Sequence, residues 1–344
     1  MTDLPPKHLL RARRGLGRVT LSDVANVAGV SQMTASRALN KPHMVSPALV
    51  ERVKAAVLET GYVTNMLASG LASTQSYFIA VVVPSIASLI YLEFLQTLRA
   101  ELSSAGYQVI LGESDYAKPQ DPGLIEALIG RRPDAIVIVG TVQSEQVRAQ
   151  LAASGIPVVE TWDLSAQPLQ MLVGFSQHAV GCAAAEYLVG KGYRRLALIG
   201  ADDQRAAVRT EGFMATIRKL DAAMHVPSKV IPAPSTMGAG RQALAQLLAE
   251  YGELDAIFCT SDMVALGVLT EAKARGLKVP QQLAVMGYGD LNFAADTDPP
   301  LSTVRADGRA IAVSTAQLIL AHLQGRATGT TVDVGFSIVH RGSA

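Results

Sequence analysis

Cysteine, charge and long apolar runs are all scarce in this 344-residue sequence. There are two cysteines, Cys182 and Cys259. Their number and spacing exclude a disulfide framework and a paired-cysteine metal site, and both sit in apolar surroundings where a free thiol is expected to be buried. No run of eighteen apolar residues is present, so no membrane-spanning helix is expected. The N-terminus is basic but has no apolar stretch behind its charges. It does not read as a secretory signal, and a cytoplasmic location is expected. Signatures of catalysis are missing too. There is no His-Glu-x-x-His, no Walker phosphate loop and no Gly-x-Ser-x-Gly. Gly15-Leu16-Gly17 lacks the third glycine and the preceding strand of a dinucleotide site. The six histidines (His8, His43, His178, His225, His322, His340) are scattered. An enzyme is not expected, nor a cofactor or a metal.

What is present is a large apolar fraction, 49%, against 17% charged residues, which excludes disorder and supports a sizeable core. The formal net charge of +1 is unevenly spread. Residues 1–76 hold nine Lys and Arg against four acids, an excess of five, so the remainder is mildly acidic at −4. A basic head on an acidic body fits nucleic-acid contact confined to one end. Inside that head, Leu21 to Asn40 has the spacing of a helix-turn-helix. Ala25 lets two helices approach, Gly29 falls where the turn needs a positive φ, and Ser31 is placed to cap the second helix. Val24, Ala28, Val30, Ala35 and Ala38 form the small apolar seam. Ser46-Pro47 opens a third helix with Leu49, Val50, Val53, Val57 and Leu58 on its apolar face, and Gly61 ends it. The cluster Arg11 to Arg18 reads equally as a phosphate-contacting arm or a solvated tail. Asn65 to Gln75 is short and rich in small residues, and an isolated helix of that length is marginal.

From Tyr77 the pattern becomes strand–helix alternation. Apolar runs recur at Phe78–Val83, Val109–Leu111, Ala135–Val139, Val158–Val159, Leu196–Ile199, Ala256–Cys259 and Leu283–Met286. Helical stretches between them include Tyr91–Ala105, Ala179–Lys191, Arg241–Glu250 and Asp262–Arg275. Continuous apolar strands with helices between them predict parallel α/β sheets covered on both faces. The body looks doubled, with Pro133-Asp-Ala-Ile-Val and Leu254-Asp-Ala-Ile-Phe in equivalent slots. Two such halves face each other across a cleft at the carboxyl ends of their strands, where ligands bind.

The stretch Val19 to Ser73 closely resembles the lactose-repressor family of bacterial transcription factors. The matches are Val19-Thr-Leu-Ser-Asp-Val-Ala, Ala28-Gly-Val-Ser, Thr34-Ala-Ser-Arg, Val45-Ser, Gly61-Tyr-Val-Thr-Asn65 and Leu71-Ala. The body continues the resemblance at Gly192-Tyr-Arg-Arg, Arg209-Thr-Glu-Gly-Phe, Cys259-Thr-Ser-Asp-Met-Val-Ala-Leu-Gly and Val285-Met-Gly-Tyr. Met33-Thr-Ala-Ser-Arg, Pro157-Val-Val-Glu, Leu172-Val-Gly-Phe175, Phe258-Cys-Thr and Asp333-Val-Gly-Phe-Ser-Ile-Val-His-Arg-Gly are most similar to its gluconate-operon repressor branch, which responds to six-carbon sugar acids. The resemblance implies an all-α helix-turn-helix head on an α/β body of two doubly wound parallel-sheet lobes, like a periplasmic binding protein. The expected domains are a basic tail over 1–17, the DNA-binding domain over 18–64, a hinge helix or linker over 65–76 and an effector-binding and dimerisation domain over 77–344. One lobe takes about 77–174 plus 305–332, the other about 175–304 plus 333–344.

Residue roles follow from the same resemblance. Gln32, Met33 and Arg37 fall at base-reading positions, where Arg grips guanine, Gln pairs with adenine and Met meets a thymine methyl. Thr34 and Ser36 are expected on phosphates or the helix surface, and Thr20, Ser31, Asn40, Asn65 and Ala72 complete the DNA-facing set. Leu71 matches a minor-groove wedge. Arg209 matches a position that touches the ligand, and Arg205 lies one turn earlier, so the pair suits an acid. Ser85, Ser88, Tyr91, Glu113, Tyr116, Glu160, Ser261 and Asp262 follow strand ends and read equally as ligand contacts or helix caps, Asp262 as the cap of Met263–Arg275. The sequence also departs from the family. Gly289 stands where a hydroxyl-binding Asp is common, with Asp290 next to it as a candidate contact to ligand hydroxyls, and Ser176-Gln177 replaces an Asp-Asn pair. The family's leucine-heptad tail is absent, so a homodimer is expected. The partners are double-stranded operator DNA and a sugar-acid effector, with no membrane. The alternatives are a sugar-binding protein without DNA function, or a regulator answering to a neutral sugar.

Overall fold

The computed structural model describes residues 19–63, 75–116, 121–326 and 331–344. The basic tail and the hinge candidates Asn65, Leu71 and Ala72 lie outside the described residues. Two compact units divide the chain at Ser76 and Tyr77.

The first unit is built from α1 (Leu21–Ala28), α2 (Gln32–Asn40) and α3 (Pro47–Thr60). Its core is Val24, Ala25, Ala28, Ala35, Ala38, Val53 and Ala56, with Val30 half-buried beside it. Five of those seven are alanines, which is why the helices approach closely. Gly29 turns the chain at φ 63° between α1 and α2, and Gly61 ends α3 at φ 66°. The third helix departs from expectation in two ways. Ser46 stands at its N-cap but its side chain makes no capping bond, so Pro47 alone marks the start. Leu58 is 85% exposed, because it lies one 100° step beyond Val57, and Val50, Val53 and Ala56 form the buried stripe.

The second unit holds two sheets. The first contains β1 (Phe78–Val83), β2 (Gln108–Glu113), β3 (Ala135–Val139), β4 (Val158–Thr161) and β5 (Met171–Gly174), with α4 (Leu92–Ser104), α5 (Pro122–Ile129) and α6 (Glu145–Ser154) between them. Next, α7 (Gln177–Gly190) leads into β6 (Leu196–Ala201), α8 (Gln204–Leu220), β7 (Ser228–Ile231), α9 (Met237–Tyr251), β8 (Ala256–Cys259), α10 (Asp262–Ala274), β9 (Ala284–Tyr288) and β10 (Ser302–Arg305) of the second sheet. The chain then returns through α11 (Gly308–Leu323) to β11 (Thr331–Asp333) in the first sheet, and crosses once more to β12 (Ser337–Val339) in the second. The orders are β11-β5-β4-β3-β1-β2 and β12-β10-β9-β8-β6-β7, the same arrangement twice. All pairs are parallel except β10 with β12.

The doubling extends to single residues. Asp134 accepts from the Tyr77 N–H at 2.7 Å, just before β1. Asp255 accepts from the Arg195 N–H at 2.9 Å, just before β6. Each carboxylate pins the start of its lobe's first strand to the strand beside it. Glycine pairs repeat as well. A Cβ on Gly181 of α7 would lie 1.9 Å from the Arg209 carbonyl of α8, and one on Gly212 would lie 2.1 Å from the His178 carbonyl. Gly240 and Gly267 do the same for α9 and α10, at 2.4 and 2.1 Å.

Alternate residues of β1 supply the two faces of its sheet. Ile79, Val81 and Val83 join one core with Phe94 and Leu98, and Ala80 and Val82 join another with Ile125 and Leu151. Cys259 is fully buried and its thiol is pushed up by burial. Cys182, expected to be buried, is half-buried, its sulfur 3.5 Å from the Gly212 carbonyl. Among the described residues, no helix is long and apolar enough to cross a membrane.

Candidate functional site

Two surfaces carry the chemistry, one in each unit. In the first, Thr20 precedes α1 and its N–H and hydroxyl both donate to Asp23, at 2.8 and 2.7 Å. Those two bonds, the N–H first, hold the Asp23 carboxyl below its ordinary range. Ser31 caps α2 by accepting from the Thr34 N–H at 3.1 Å, and its hydroxyl also meets that of Thr34 at 2.8 Å. With Ala35 and Ala38 turned into the core, α2 leaves Gln32, Met33, Arg37 and Asn40 in solvent. Asn40 donates to Ser36 at 3.3 Å. Arg37 has no ion pair among the described residues. Met33 is 65% exposed, an apolar side chain held in water beside a free guanidinium. The helix thus presents to solvent a Gln, a Met and an Arg, side-chain types that suit base edges, and a capped N-terminus of the kind that favours phosphate.

The second surface is a cleft between the two sheets, with about 690 Å³ of non-atom space, part of it open to solvent. Six sequence candidates meet there: Ser88, Tyr91 and Tyr116 from the first lobe, Arg205, Arg209 and Ser261 from the second. The Ser88 and Tyr116 hydroxyls are 2.8 Å apart. Arg205, half-buried on the first turn of α8, reaches across and donates to the Tyr91 hydroxyl, with its guanidinium over the same ring. Burial of Tyr91 pushes its hydroxyl well above the ordinary value, opposed by Arg205. Arg209 is 5% exposed and stands 4.0 Å above the Tyr288 ring. It donates from Nη1 to the Gln177 side chain at 2.5 Å and from Nη2 to the Thr260 carbonyl at 3.1 Å. Its Nε is buried without a hydrogen-bond partner. Neither guanidinium has a carboxylate within 4.0 Å among the described residues.

Five other candidates are engaged elsewhere. Ser85 accepts from the Ala87 N–H at 3.2 Å within its own turn, and Glu113 accepts from the Ile86 N–H at 3.0 Å. Glu160 is fully buried and accepts from the Val142 and Leu169 N–H groups, both at 2.6 Å. Burial raises its carboxyl and those two bonds oppose the rise. Asp290 pairs with Arg341 at 2.7 Å. Asp262 is not the cap of α10; Ser261 is, by accepting from the Met263 N–H at 3.2 Å. Asp262 instead accepts from the Thr303 hydroxyl at 2.6 Å and the Leu291 N–H at 2.8 Å. Trp162, Asp203, Tyr288 and Leu291 also line the cleft and were not among the expected ligand contacts, and Gln177, expected only as a departure from the family, holds Arg209. Nothing in the periodicity marked them, since each sits at a strand end, a helix start or in a loop.

Burial pushes the Asp262 carboxyl up to about 6, with Thr303 and Leu291 opposing and Asp290 adding to the rise. Because the folded value exceeds the ordinary 3.8, the fold takes up a proton between about pH 4 and 6. Stability therefore falls as pH rises through that window, by roughly 3 kcal/mol from this group when complete. Asp262→Asn keeps the shape and removes the ionisation. The difference in stability between variant and native should move in the variant's favour from pH 4.5 to 7.5, read by urea unfolding. A difference that is the same at both pH values would remove Asp262 as the source.

A helix-turn-helix joined in one chain to a two-lobed α/β binding cleft defines a DNA-binding regulator. Comparison with known proteins agrees. The description "Bacterial regulatory proteins, lacI family" matches residues 20–65, and that of a periplasmic binding protein-like domain matches residues 185–344. The HTH-type transcriptional regulator GntR of Pseudomonas aeruginosa is 40% identical over 334 residues, covering 96% of this chain and 97% of that protein. A LacI-family transcriptional regulator from Silicibacter pomeroyi has a crystal structure that superposes with a TM-score of 0.88 at 30% identity, over 94% of this chain and 99% of that one. The lac repressor dimer bound to operator and the anti-inducer ONPF superposes with a TM-score of 0.79 at 26% identity, over 95% and 99% of the two chains. The chain belongs to the lacI family: it is a DNA-binding transcriptional regulator and not an enzyme.

Proposed function

We propose that this regulator is a homodimeric cytoplasmic repressor of carbohydrate or sugar-acid genes, released from its operator when a six-carbon sugar acid such as gluconate or ketogluconate fills the cleft. One observation carries the ligand class: Arg205 and Arg209 face the cleft with no carboxylate within 4.0 Å among the described residues. A buried guanidinium is stable only when paired or hydrogen-bonded; Asp163 and Asp203 stand near but not within 4.0 Å, and a ligand carboxylate supplies the contact partner and an acceptor for Arg209 Nε. The hydroxyls of Ser88, Tyr116 and Ser261 then meet those of the sugar chain. The resemblance to the gluconate-repressor branch supports the same class. Ile86, Leu89 and Leu92 near the start of α4, and Ile110 and Leu111 on the edge strand β2, are exposed apolar side chains on one lobe, which supports a second copy as partner. On DNA, Arg37 reads bases and Leu71 enters the central minor groove.

Calorimetry with gluconate, 2-ketogluconate, glucose and ribose, repeated with operator DNA present, tests this. A sugar acid should bind, and bind more weakly by about 5–150-fold when operator is bound, since coupling is reciprocal. Arg37→Ala should weaken operator binding by ~1–3 kcal/mol at one base position. A neutral sugar binding tightly while no sugar acid binds would overturn the ligand class. Equal affinity with and without operator would overturn the coupling.

A further inference from the structure

Arg209 can offer the cleft its full charge only because of what holds it from behind. Gln177 is 1% exposed and opens α7, where the chain leaves the first sheet for the second. Its amide nitrogen donates to the Trp162 carbonyl at 2.7 Å, and its amide oxygen accepts from Arg209 at 2.5 Å. A carbonyl only accepts and a guanidinium only donates, so the two partners fix which end of the amide faces which. Trp162 belongs to the first lobe, lines the cleft and has a left-handed φ of 71°. Behind Arg209, the close approach at Gly181 leaves the α8 backbone no room to move toward α7. One neutral side chain therefore ties the guanidinium of one lobe to the backbone of the other.

An acidic residue of the same length would also accept from Arg209, but as a buried ion pair with no net charge and without the donor to the Trp162 carbonyl. Glutamine holds it without neutralising it. We propose that Gln177 is the residue that makes this cleft select an anion: it positions Arg209 and leaves its charge for the ligand. The identity of that anion rests on the sugar-acid reading above; the charge argument does not.

The test compares Gln177→Glu with Gln177→Met, using gluconate and glucose as probes in calorimetry. Both variants lose the amide, and only the first adds a charge. Gluconate should bind Gln177→Glu at least 100-fold more weakly than the native protein and at least tenfold more weakly than Gln177→Met, since both variants lose the bond to the Trp162 carbonyl and only the first adds an opposing charge. Glucose should not separate the two. Equal losses in both variants, or native affinity in Gln177→Glu, would overturn the proposal and leave Gln177 a structural brace. If the native protein binds neither gluconate nor 2-ketogluconate, the sugar-acid reading fails by itself. A thermal-unfolding cycle then decides the charge argument: Gln177→Glu should raise the melting temperature relative to its effect in an Arg209→Met background. An identical shift in both backgrounds would sink it.

Discussion

Arg209→Met is expected to abolish sugar-acid binding while leaving the protein folded. The guanidinium it removes is 5% exposed, bonded to Gln177 and the Thr260 carbonyl, and set over the Tyr288 ring. With it gone, a ligand carboxylate would enter the cleft without its buried cation. Breaking such a pair from one side is worth about 3–5 kcal/mol, which at 1.4 kcal/mol per decade is roughly a hundred- to a thousandfold or more in affinity. The fold should tolerate the change, because Arg209 has no carboxylate within 4.0 Å among the described residues to be left as an unpaired buried charge. The Gln177 amide and the Thr260 carbonyl lose a donor, a modest penalty by comparison. Calorimetry with gluconate and a thermal melt read the two effects separately. Binding within tenfold of native would end the role assigned to Arg209. Arg205→Met should do less, because Arg205 is half-buried and already has the Tyr91 hydroxyl as a partner.

Gly181→Ala is expected to damage stability and ligand binding together. Its Cβ would lie 1.9 Å from the Arg209 carbonyl and 2.7 Å from the Phe213 nitrogen, both backbone atoms that no rotamer change can move. Relief requires α7 and α8 to separate, and forced overpacking of this kind destabilises by about 3 kcal/mol. A fall in melting temperature of roughly 5–10 °C should follow. The same separation carries Arg209 away from Gln177, so gluconate affinity should fall too. Gly190 supplies the control on the same helix: a Cβ there meets nothing within 4 Å. Gly190→Ala should be neutral or stabilising by up to about 1 kcal/mol. Matching melts for the two variants would show that the helices adjust freely at Gly181.

Much of this was legible in the sequence, for identifiable reasons. The helix-turn-helix could be read because Gly29, Ser31 and the alanine seam each have a single structural use at that spacing. The doubled sheets could be read because β1, β3, β6 and β8 are continuous apolar runs, and the repeated Pro/Leu-Asp-Ala-Ile slots are β3 and β8. Strands β5, β7, β10, β11 and β12 went unread. They are three or four residues long, and those carrying Ser, Thr, Lys or Asp have no strong apolar signal. In the cleft, Arg209 and Arg205 could be found by residue type and helical spacing. Glu160, Asp262 and Asp290 could not be sorted from ligand contacts, because a strand-end carboxylate looks the same whether it braces a loop or meets a sugar. Only the N–H groups of Val142, Leu169 and Leu291, and the Arg341 guanidinium, decide it. Gln177 was visible as a departure from the family, but its use depends on two residues far away in sequence.

The alternating path of the chain has a consequence for synthesis. The first sheet is complete only when Thr331–Asp333 has been added, and the second only when Ser337–Val339 has. Among the described residues the helices of the head, by contrast, end at Thr60. At ~5–20 residues per second, a ribosome finishes the reading head roughly 15–55 s before the last strand of the cleft exists. Every newborn copy thus passes through an interval in which the part that reads bases is finished and the part that senses is not. A chain interrupted anywhere before residue 331 would stay there, because both lobes lose their closing strand at once.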